Sequence, residues 1–243
     1  MKGKVILERA LSKLGLASRG ETRQWILEGR LTVDGKRIKD PLAWVTPEKS
    51  EFALDGKVLT PGKDILILLH KTKGTVTTRS DEKGRKTIYD LLPSHLHHLH
   101  AVGRLDMHTT GLLLLTNDTK LSSYLTNPEN KIRRIYVVSV RGEMVQSNVD
   151  LLLKGIEVEG DLLQAEGIEV RKVSGKESLL MVTLTEGKNR EIRRMFQAVN
   201  HEVIALKRIS FGPFELGELP LGEWKEFSQE KLHSFLSRLN KRK

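Results

Sequence analysis

Asp106 stands in the run Val102-Gly-Arg-Leu-Asp-Met-His-Thr-Thr-Gly-Leu-Leu-Leu-Leu-Thr-Asn-Asp118, a polar, glycine-bounded loop leading into an apolar stretch. Arg104 precedes it by two residues, and Thr109, Thr110 and Gly111 follow. Hydroxyls and backbone amides can hold a carboxylate in such a loop, and a held carboxylate can act as nucleophile or general base. On spacing alone the commoner role is an aspartate that orders its own loop by accepting from nearby N–H groups.

A second group lies in Thr183-Leu-Thr-Glu-Gly-Lys-Asn-Arg-Glu-Ile-Arg-Arg-Met-Phe196. Arg190, Arg193 and Arg194 fall at helical offsets zero, three and four, so a helix would carry them as one cationic face. RNA phosphate or a partner carboxylate would relieve their mutual repulsion; a solvated basic face is the plain alternative. A third group is Lys131-Ile-Arg-Arg-Ile-Tyr-Val-Val-Ser-Val140. Arg134 and Tyr136, two apart in a strand, project to the same side. A tyrosine beside a cation can stack on a base or donate a hydrogen bond, although a strand tyrosine more often only fills a core.

The elements that must position these groups follow from the apolar pattern. Ile65–Leu69 is short and β-branched enough for a buried strand, and Leu112–Thr116, Ile135–Val140, Leu179–Leu184 and Val203–Arg208 are further strands. A helix is expected from Arg190 to Val199. The alternation is irregular and shows no repeated βαβ unit, which predicts a mixed α+β fold with a largely antiparallel sheet. Thr60-Pro61-Gly62-Lys63 reads as a linker, dividing the chain into residues 4–62 and 63–236. The first part is helix-rich. Ile6, Leu7, Ala10, Leu11 and Leu14 recur at helical spacing before Gly15, and Ser18 with Glu21 forms a capping box for a second helix ending at Gly29. Asp34-Gly35 then marks a tight hairpin. A basic tail, Lys241-Arg242-Lys243, closes the chain.

Lys and Arg number 41 against 31 Asp and Glu, a net charge of +10 over 243 residues. That excess points to a polyanion. The longest apolar runs, Ile65–Leu69 and Leu112–Leu115, are too short to span a bilayer, so nucleic acid is favoured over a membrane. The N-terminus lacks the apolar core of a secretory signal. The absence of cysteine excludes disulfides, thiolate zinc sites and cysteine nucleophiles, and fits a reducing cytoplasm. His95, His97, His98 and His100 crowd one segment, but no carboxylate or cysteine recurs at ligand spacing, so no metal site is expected. In the N-terminal part, Arg19 and Arg23 share a helix face, and Arg30, Lys36 and Arg37 follow at the corner into the hairpin. Guanidinium groups bind phosphate oxygens two bonds at a time, which suits such a cluster to a folded RNA backbone.

The run Arg9-Ala-Leu-Ser-Lys-Leu-Gly-Leu-Ala-Ser-Arg-Gly-Glu-Thr-Arg, followed by Gly29-Arg-Leu-Thr-Val-Asp-Gly-Lys36, resembles the alpha-L RNA-binding domain, named for the fourth small-subunit ribosomal protein. Gly20 stands where that family often has a second arginine. The rest resembles the ribosomal small-subunit pseudouridine synthase (RsuA) family. The resemblance is carried by Gly103-Arg-Leu-Asp-x-x-Thr-x-Gly-Leu-Leu-Leu-Leu-Thr-Asn-Asp118, by the basic-x-Tyr strand, and by Glu186-Gly-Lys-Asn-Arg-Glu-Ile-Arg-Arg-Met195. His70-Lys-Thr-Lys-Gly and Leu206-Lys-Arg-Ile-Ser-Phe-Gly-Pro213 are similar to the opening and close of its catalytic domain. Arg134 stands where many members have lysine, His70 replaces a frequent asparagine, and Thr72 sits at the usual proline.

The resemblance implies an enzyme that isomerises uridine to pseudouridine in ribosomal RNA, large-subunit RNA slightly ahead of small-subunit RNA. It implies that Asp106 is the catalytic aspartate, Tyr136 the tyrosine that stacks on the target base, and Arg193 the cation paired with the carboxylate. Leu184 is implied as the apolar pocket wall, Arg104 as the arginine of base flipping, and Arg134 as a pocket cation. Arg19, Arg23, Arg30, Lys36, Arg190 and Arg194 would meet RNA. The reaction gains and loses no atoms, so no cofactor is expected, and the default assembly is a monomer. Asp106 could attack the ribose anomeric carbon, attack base carbon six, or remove a ribose proton, and the sequence leaves all three open. A non-enzymatic RNA-binding factor would keep the basic faces without needing Asp106, Tyr136 and Arg193 together; a glycosidase using the same carboxylate would release free base.

Overall fold

The computed structural model describes residues 4–60 and 62–240, so the basic tail and residue 61 of the Thr60–Lys63 linker lie outside the described residues. The N-terminal part runs β1 (Val5–Ile6), α1 (Leu7–Lys13), α2 (Arg19–Leu27), β2 (Leu31–Val33), β3 (Lys36–Arg37), β4 (Trp44–Val45), β5 (Phe52–Leu54) and β6 (Lys57–Val58). The expected capping box is present: the Glu21 N–H donates to Ser18 Oγ at 3.1 Å, and the Ser18 N–H donates to the Glu21 carboxylate at 2.8 Å. Asp34 and Gly35 both take positive φ, +51° and +74°, the geometry that lets a two-residue turn match the strand twist. Leu7, Leu11, Ile26, Leu31, Val45 and Phe52 form the core of this part.

The remainder is built on one large sheet. Its strands are β7 (Leu66–Lys71), β8 (His100–Ala101), β9 (Thr110–Thr116), β10 (Arg134–Arg141), β13 (Gly167–Val173), β14 (Glu177–Leu184), β15 (Val203–Phe211), β16 (Phe214–Glu215) and β17 (Trp224–Glu226). A small hairpin, β11 (Ile156–Val158) with β12 (Asp161–Leu163), stands apart. The sheet order is β13-β14-β10-β15-β9-β7-β17, with β16 beside β15 and β8 beside β9. Every pairing is antiparallel except β9 with β15, where Thr110 and Gly111 face Lys207 and Arg208 in parallel. The expected mixed α+β fold with a largely antiparallel sheet is what forms.

Helices cover both faces of the sheet. In β7 and β9, alternate side chains enter different cores: Leu66, Leu68, Leu112 and Leu114 enter one, and Ile67, Leu69, Leu113 and Leu115 the other. Successive strand side chains point to opposite faces, so a strand covered on both sides reads as an unbroken apolar run. The first core also receives α3 (Thr119–Thr126) and α6 (Gln229–Asn240) through Leu121, Leu125 and Leu232. The second receives α4 (Gln146–Lys154) and α5 (Glu191–Ala198) through Val149, Leu152, Ile192, Met195 and Phe196. Asp118 caps α3 by accepting from the Lys120 and Leu121 amides at 2.8 and 3.1 Å. Thr119 Oγ1, in the first turn of α3, donates to the Lys13 carbonyl of α1 at 3.1 Å. The N-terminal part is therefore tied to the start of α3, whose other end, at Thr126, reaches a cavity.

Candidate active site

The Asp106 loop is fastened from beneath by a lysine. Lys71 ends β7 and is 0 % exposed. Its Nζ donates to the carbonyls of Thr72 (3.1 Å), Asp106 (3.1 Å) and Thr109 (2.9 Å), which occupies all three ammonium protons. Burial pushes Lys71 down to about 8, while the nearby Asp106 charge pulls it up. Thr77 adds a reciprocal pair with Leu105, donating to its carbonyl at 2.8 Å and accepting from its amide at 3.3 Å. The Gly74 and Thr109 amides donate to the Met107 and Asp106 carbonyls at 2.8 and 3.0 Å. The loop backbone is thus fixed, and the half-buried Asp106 carboxylate makes no side-chain hydrogen bond among the described residues. Lys71 and Thr77 were not among the expected site residues. The signal for Lys71 was a charge ending an apolar run that both cores enclose; Thr77 carried none.

Tyr136 and Arg134 share the buried side of β10, as their spacing predicted. Across the sheet, Arg134 lies between Leu184 and Phe211, and Tyr136 lies between Val182 and Arg208. A bulge at Ile209, between the pairs Ile135–Ser210 and Tyr136–Arg208, shifts the register there. Arg134 is a clamp. Its Nη1 donates to the carbonyls of Ile132, Thr185 and Glu186 at 3.0–3.2 Å, its Nη2 donates to Leu125 at 3.2 Å, and its guanidinium lies 4.7 Å from the Phe211 ring centre.

Helix α5 separates the three arginines that spacing had grouped. Arg190 is its N-cap, exposed and left-handed at φ +47°. Arg193 reaches back to the Asp106 loop: Nη1 donates to the Val203 carbonyl at 2.9 Å and Nη2 to the His108 carbonyl at 3.3 Å. No ion pair within 4.0 Å joins it to Asp106 among the described residues, because these carbonyls hold its Nη groups. The expected contact pair is instead a neighbouring charge. Burial and then Arg190 lower the Arg193 pKa, and Asp106 opposes them.

Arg194, expected to face RNA, turns inward. It donates to Asp161 at 2.9 Å from both terminal nitrogens and to the Val158 carbonyl at 2.7 Å, and its Nε lies 3.3 Å from Glu159. It clasps the β11–β12 hairpin to α5. Arg194 is largely buried, but Asp161 and Glu159 are 47 % and 79 % exposed, so solvent screens the ion pairs and the loss is about 1–2 kcal/mol, mainly from the unpaired Val158 carbonyl and lost packing. Arg194→Ala is therefore expected to lower the midpoint of urea unfolding while leaving the salt dependence of RNA binding unchanged. Arg190→Ala is expected to do the reverse, reducing the log–log salt slope by about 1. Salt titrations of RNA affinity beside urea melts check both.

Glu191 opens α5 with its carboxyl 4 % exposed as a residue, accepting from the Lys188 amide at 3.1 Å. Burial, together with the adjacent Glu186 carboxyl, pushes it up from 4.5 to about 7. The unfolded chain loses this proton at lower pH than the folded one, so the side chain becomes progressively destabilising as pH rises from about 4.5 to about 7. Glu191→Gln removes that penalty. Its advantage in melting temperature should widen between pH 5 and pH 8, at about 2–4 °C per kcal/mol for a chain of this size. An advantage that is flat or shrinks with pH would contradict this.

These elements enclose a cavity of about 470 Å³, within the usual range for ligand sites. Asp106, Tyr136, Arg193, Leu184 and Arg134 line it, with Arg104 and Arg190, both exposed, also on its wall. Arg194 does not. Of the N-terminal cations, Arg23 pairs with Glu8 at 2.9 Å and Arg30 with Asp55 at 2.6 Å, while Arg19 and Lys36 are exposed and in no ion pair among the described residues. The four histidines lie elsewhere, on the segment whose His97, His98 and Leu99 carbonyls accept from Arg79.

Residues 65–198 match the family model described as RNA pseudouridylate synthase, and residues 7–42 match the S4 domain. The chain is 36 % identical over 230 residues to an uncharacterized RNA pseudouridine synthase of Aquifex aeolicus (strain VF5), covering 94 % of this chain and 92 % of that protein. It is 31 % identical over 228 residues to ribosomal large subunit pseudouridine synthase B of Bacillus subtilis (strain 168), covering 93 % of each. A crystal structure of a pseudouridylate synthase superposes with a TM-score of 0.67 at 24 % identity, covering 94 % of this chain and 98 % of that one, which shows a shared fold.

Proposed function

The chain belongs to the RNA pseudouridylate synthase family, and from that premise we propose that it converts a specific uridine of ribosomal RNA to pseudouridine, using Asp106 on a flipped-out base. It is an isomerase with an S4 domain ahead of its synthase fold. The observation that carries the finer reading is convergence: Asp106, Tyr136 and Arg193 come from a loop, a strand and a helix far apart in sequence, and all line one cavity. Large-subunit RNA is favoured over small-subunit RNA because the B. subtilis relative is named for the large subunit.

In this reading the target base leaves its stack at a cost of a few kcal/mol. Arg104, exposed on the cavity wall and with no side-chain hydrogen bond among the described residues, fills the gap. Tyr136 holds the base by stacking, a contribution of about 1–3 kcal/mol. Leu184 and Arg134 shape the wall behind it. Arg193, held by the Val203 and His108 carbonyls, keeps a positive charge near Asp106. Arg19, Arg23, Arg30, Lys36 and Arg190 hold the RNA backbone. The division into residues 4–62 and 63–236, a monomeric state and a cytoplasmic setting belong to the same proposal. Mapping pseudouridines in ribosomal RNA from cells with and without the protein tests it. One or a few sites should vanish without the protein and return on re-expression. An unchanged map would refute ribosomal RNA as substrate.

A further inference from the structure

Among the described residues, three buried side-chain atoms on the cavity lining have no conventional hydrogen-bond partner: Glu191 Oε1, Arg193 Nε and Arg208 Nη2. Glu191 has the Glu186 carboxyl beside it, and a shared proton would join the two. Arg193 is already engaged through both terminal nitrogens. Arg208 is different. It is 2 % exposed, donates from Nε to the Leu112 carbonyl at 2.8 Å, and lies 4.8 Å from the centre of the Phe211 ring. These contacts fix the guanidinium plane and leave Nη2 with a proton to give. Burying such a donor unpaired is costly, a cost that a ligand acceptor would remove.

The register shows what lies beside it. Arg208 is directly opposite Tyr136, and directly opposed residues on antiparallel strands share a face. On its other side is Gly111, whose missing side chain lets the two backbones close up. Arg208 is therefore a fixed cation next to the tyrosine assigned to the flipped base.

We propose that Arg208 is a further catalytic residue, donating from Nη2 to a carbonyl oxygen of the flipped uracil and stabilising the negative charge that forms there. This rests on the reading of the cavity as a uridine-isomerising site. If Asp106 attacks the ribose or removes a ribose proton, the C1′–N1 bond breaks with its electron pair leaving on N1. The uracil anion then shares that charge with O2 and O4. If Asp106 adds to carbon six, the π electrons move onto O4 as an enolate. Each route puts charge on a carbonyl oxygen, so one fixed donor serves all three. Arg208 keeps its proton throughout; the proton later lost from carbon five and the one gained at N1 balance without it. Removing a donor aimed at developing charge slows turnover about 10²–10³-fold.

Single-turnover kinetics on large-subunit ribosomal RNA transcripts test this with wild-type protein, Arg208→Lys and Arg208→Gln. Both variants should lose about 10²-fold or more in the chemical rate, with RNA affinity within about threefold of wild type. Transcripts made with 2-thiouridine or 4-thiouridine replace one carbonyl oxygen by a poorer acceptor. One of them should slow the wild type and add little further loss to either variant. That non-additivity marks a direct contact, whereas a merely structural arginine would give additive losses. Wild-type rates insensitive to both thio substitutions would overturn the proposal without needing a folded variant. So would an unimpaired Arg208→Gln. A wild-type protein that converts no uridine would sink the underlying functional reading as well, which separates the two failures.

Discussion

Asp106→Asn is expected to lose pseudouridine formation by about 10⁴-fold or more while binding RNA within about threefold of wild type. The substitution is nearly isosteric, and no hydrogen bond to the carboxylate holds the loop among the described residues. The loop is held by the Asp106 and Thr109 carbonyls on Lys71 and by Leu105 on Thr77, all of which Asn leaves in place. The side chain has no hydrogen bond among the described residues to lose, only its charge near buried Lys71, so the melting temperature should fall by no more than about 4 °C. A carboxylate with no side-chain hydrogen bond among the described residues, next to a cation and inside a cavity, fits a catalytic role better than a loop-ordering one. All three routes for its first step need a negative oxygen, either as nucleophile or as base, and the amide supplies none. Filter binding of labelled ribosomal RNA beside pseudouridine quantification checks both halves. Near wild-type turnover would remove Asp106 from the mechanism; lost binding would make it an RNA contact.

The fold's outline was legible where local chemistry decides it. Ser18 and Glu21 specify a helix start, Asp34-Gly35 a turn, and the apolar runs of β7 and β9 buried strands, and each of these formed. Harder to read were the helix Gln146–Lys154, which starts with no side-chain cap, and the edge strand Gly167–Val173, whose mostly exposed residues show no buried alternation. At the site, residue types and order pointed to Asp106, Tyr136 and Arg193, but not to their contacts. Helical spacing put Arg194 beside Arg193, yet the hairpin Ile156–Leu163 supplies carboxylates that draw Arg194 inward. That hairpin's position is a long-range fact that no local pattern carries. Arg208 was hidden for a related reason. A bulge sets its register, and its importance lies in which residue stands opposite it on a strand some seventy positions earlier.

That long-range arrangement yields the second large effect, at a residue without a side chain. The large sheet is two halves joined at one seam. β13, β14, β10 and β15 lie on one side and β9, β7 and β17 on the other, and the seam is the parallel pairing of Thr110 and Gly111 with Lys207 and Arg208. Gly111 has φ +105°, and a Cβ there would overlap the Arg208 carbonyl oxygen while lying 2.6 Å from its nitrogen and 2.9 Å from its carbonyl carbon. These are backbone atoms of a central strand, so no side-chain rotation relieves the overlap. Gly111→Ala must part the seam or distort it, in addition to about 1–3 kcal/mol of local strain. The total is expected to exceed about 4 kcal/mol, a large share of the 5–15 kcal/mol that typically holds a domain together. The site straddles the seam: Asp106 leads into β9, and Tyr136 and Arg208 lie across it on β10 and β15. Even protein that still folds should therefore lose turnover with its loop and base platform out of register. Gly20→Ala is the contrast. Gly20 lies within α2 with no positive φ and no atom within 4 Å of an added Cβ, so alanine there should be neutral or stabilising by up to about 1 kcal/mol. Urea melts and turnover of the two variants side by side decide it, and a Gly111→Ala protein as stable and active as Gly20→Ala would show that the seam does not hold the site.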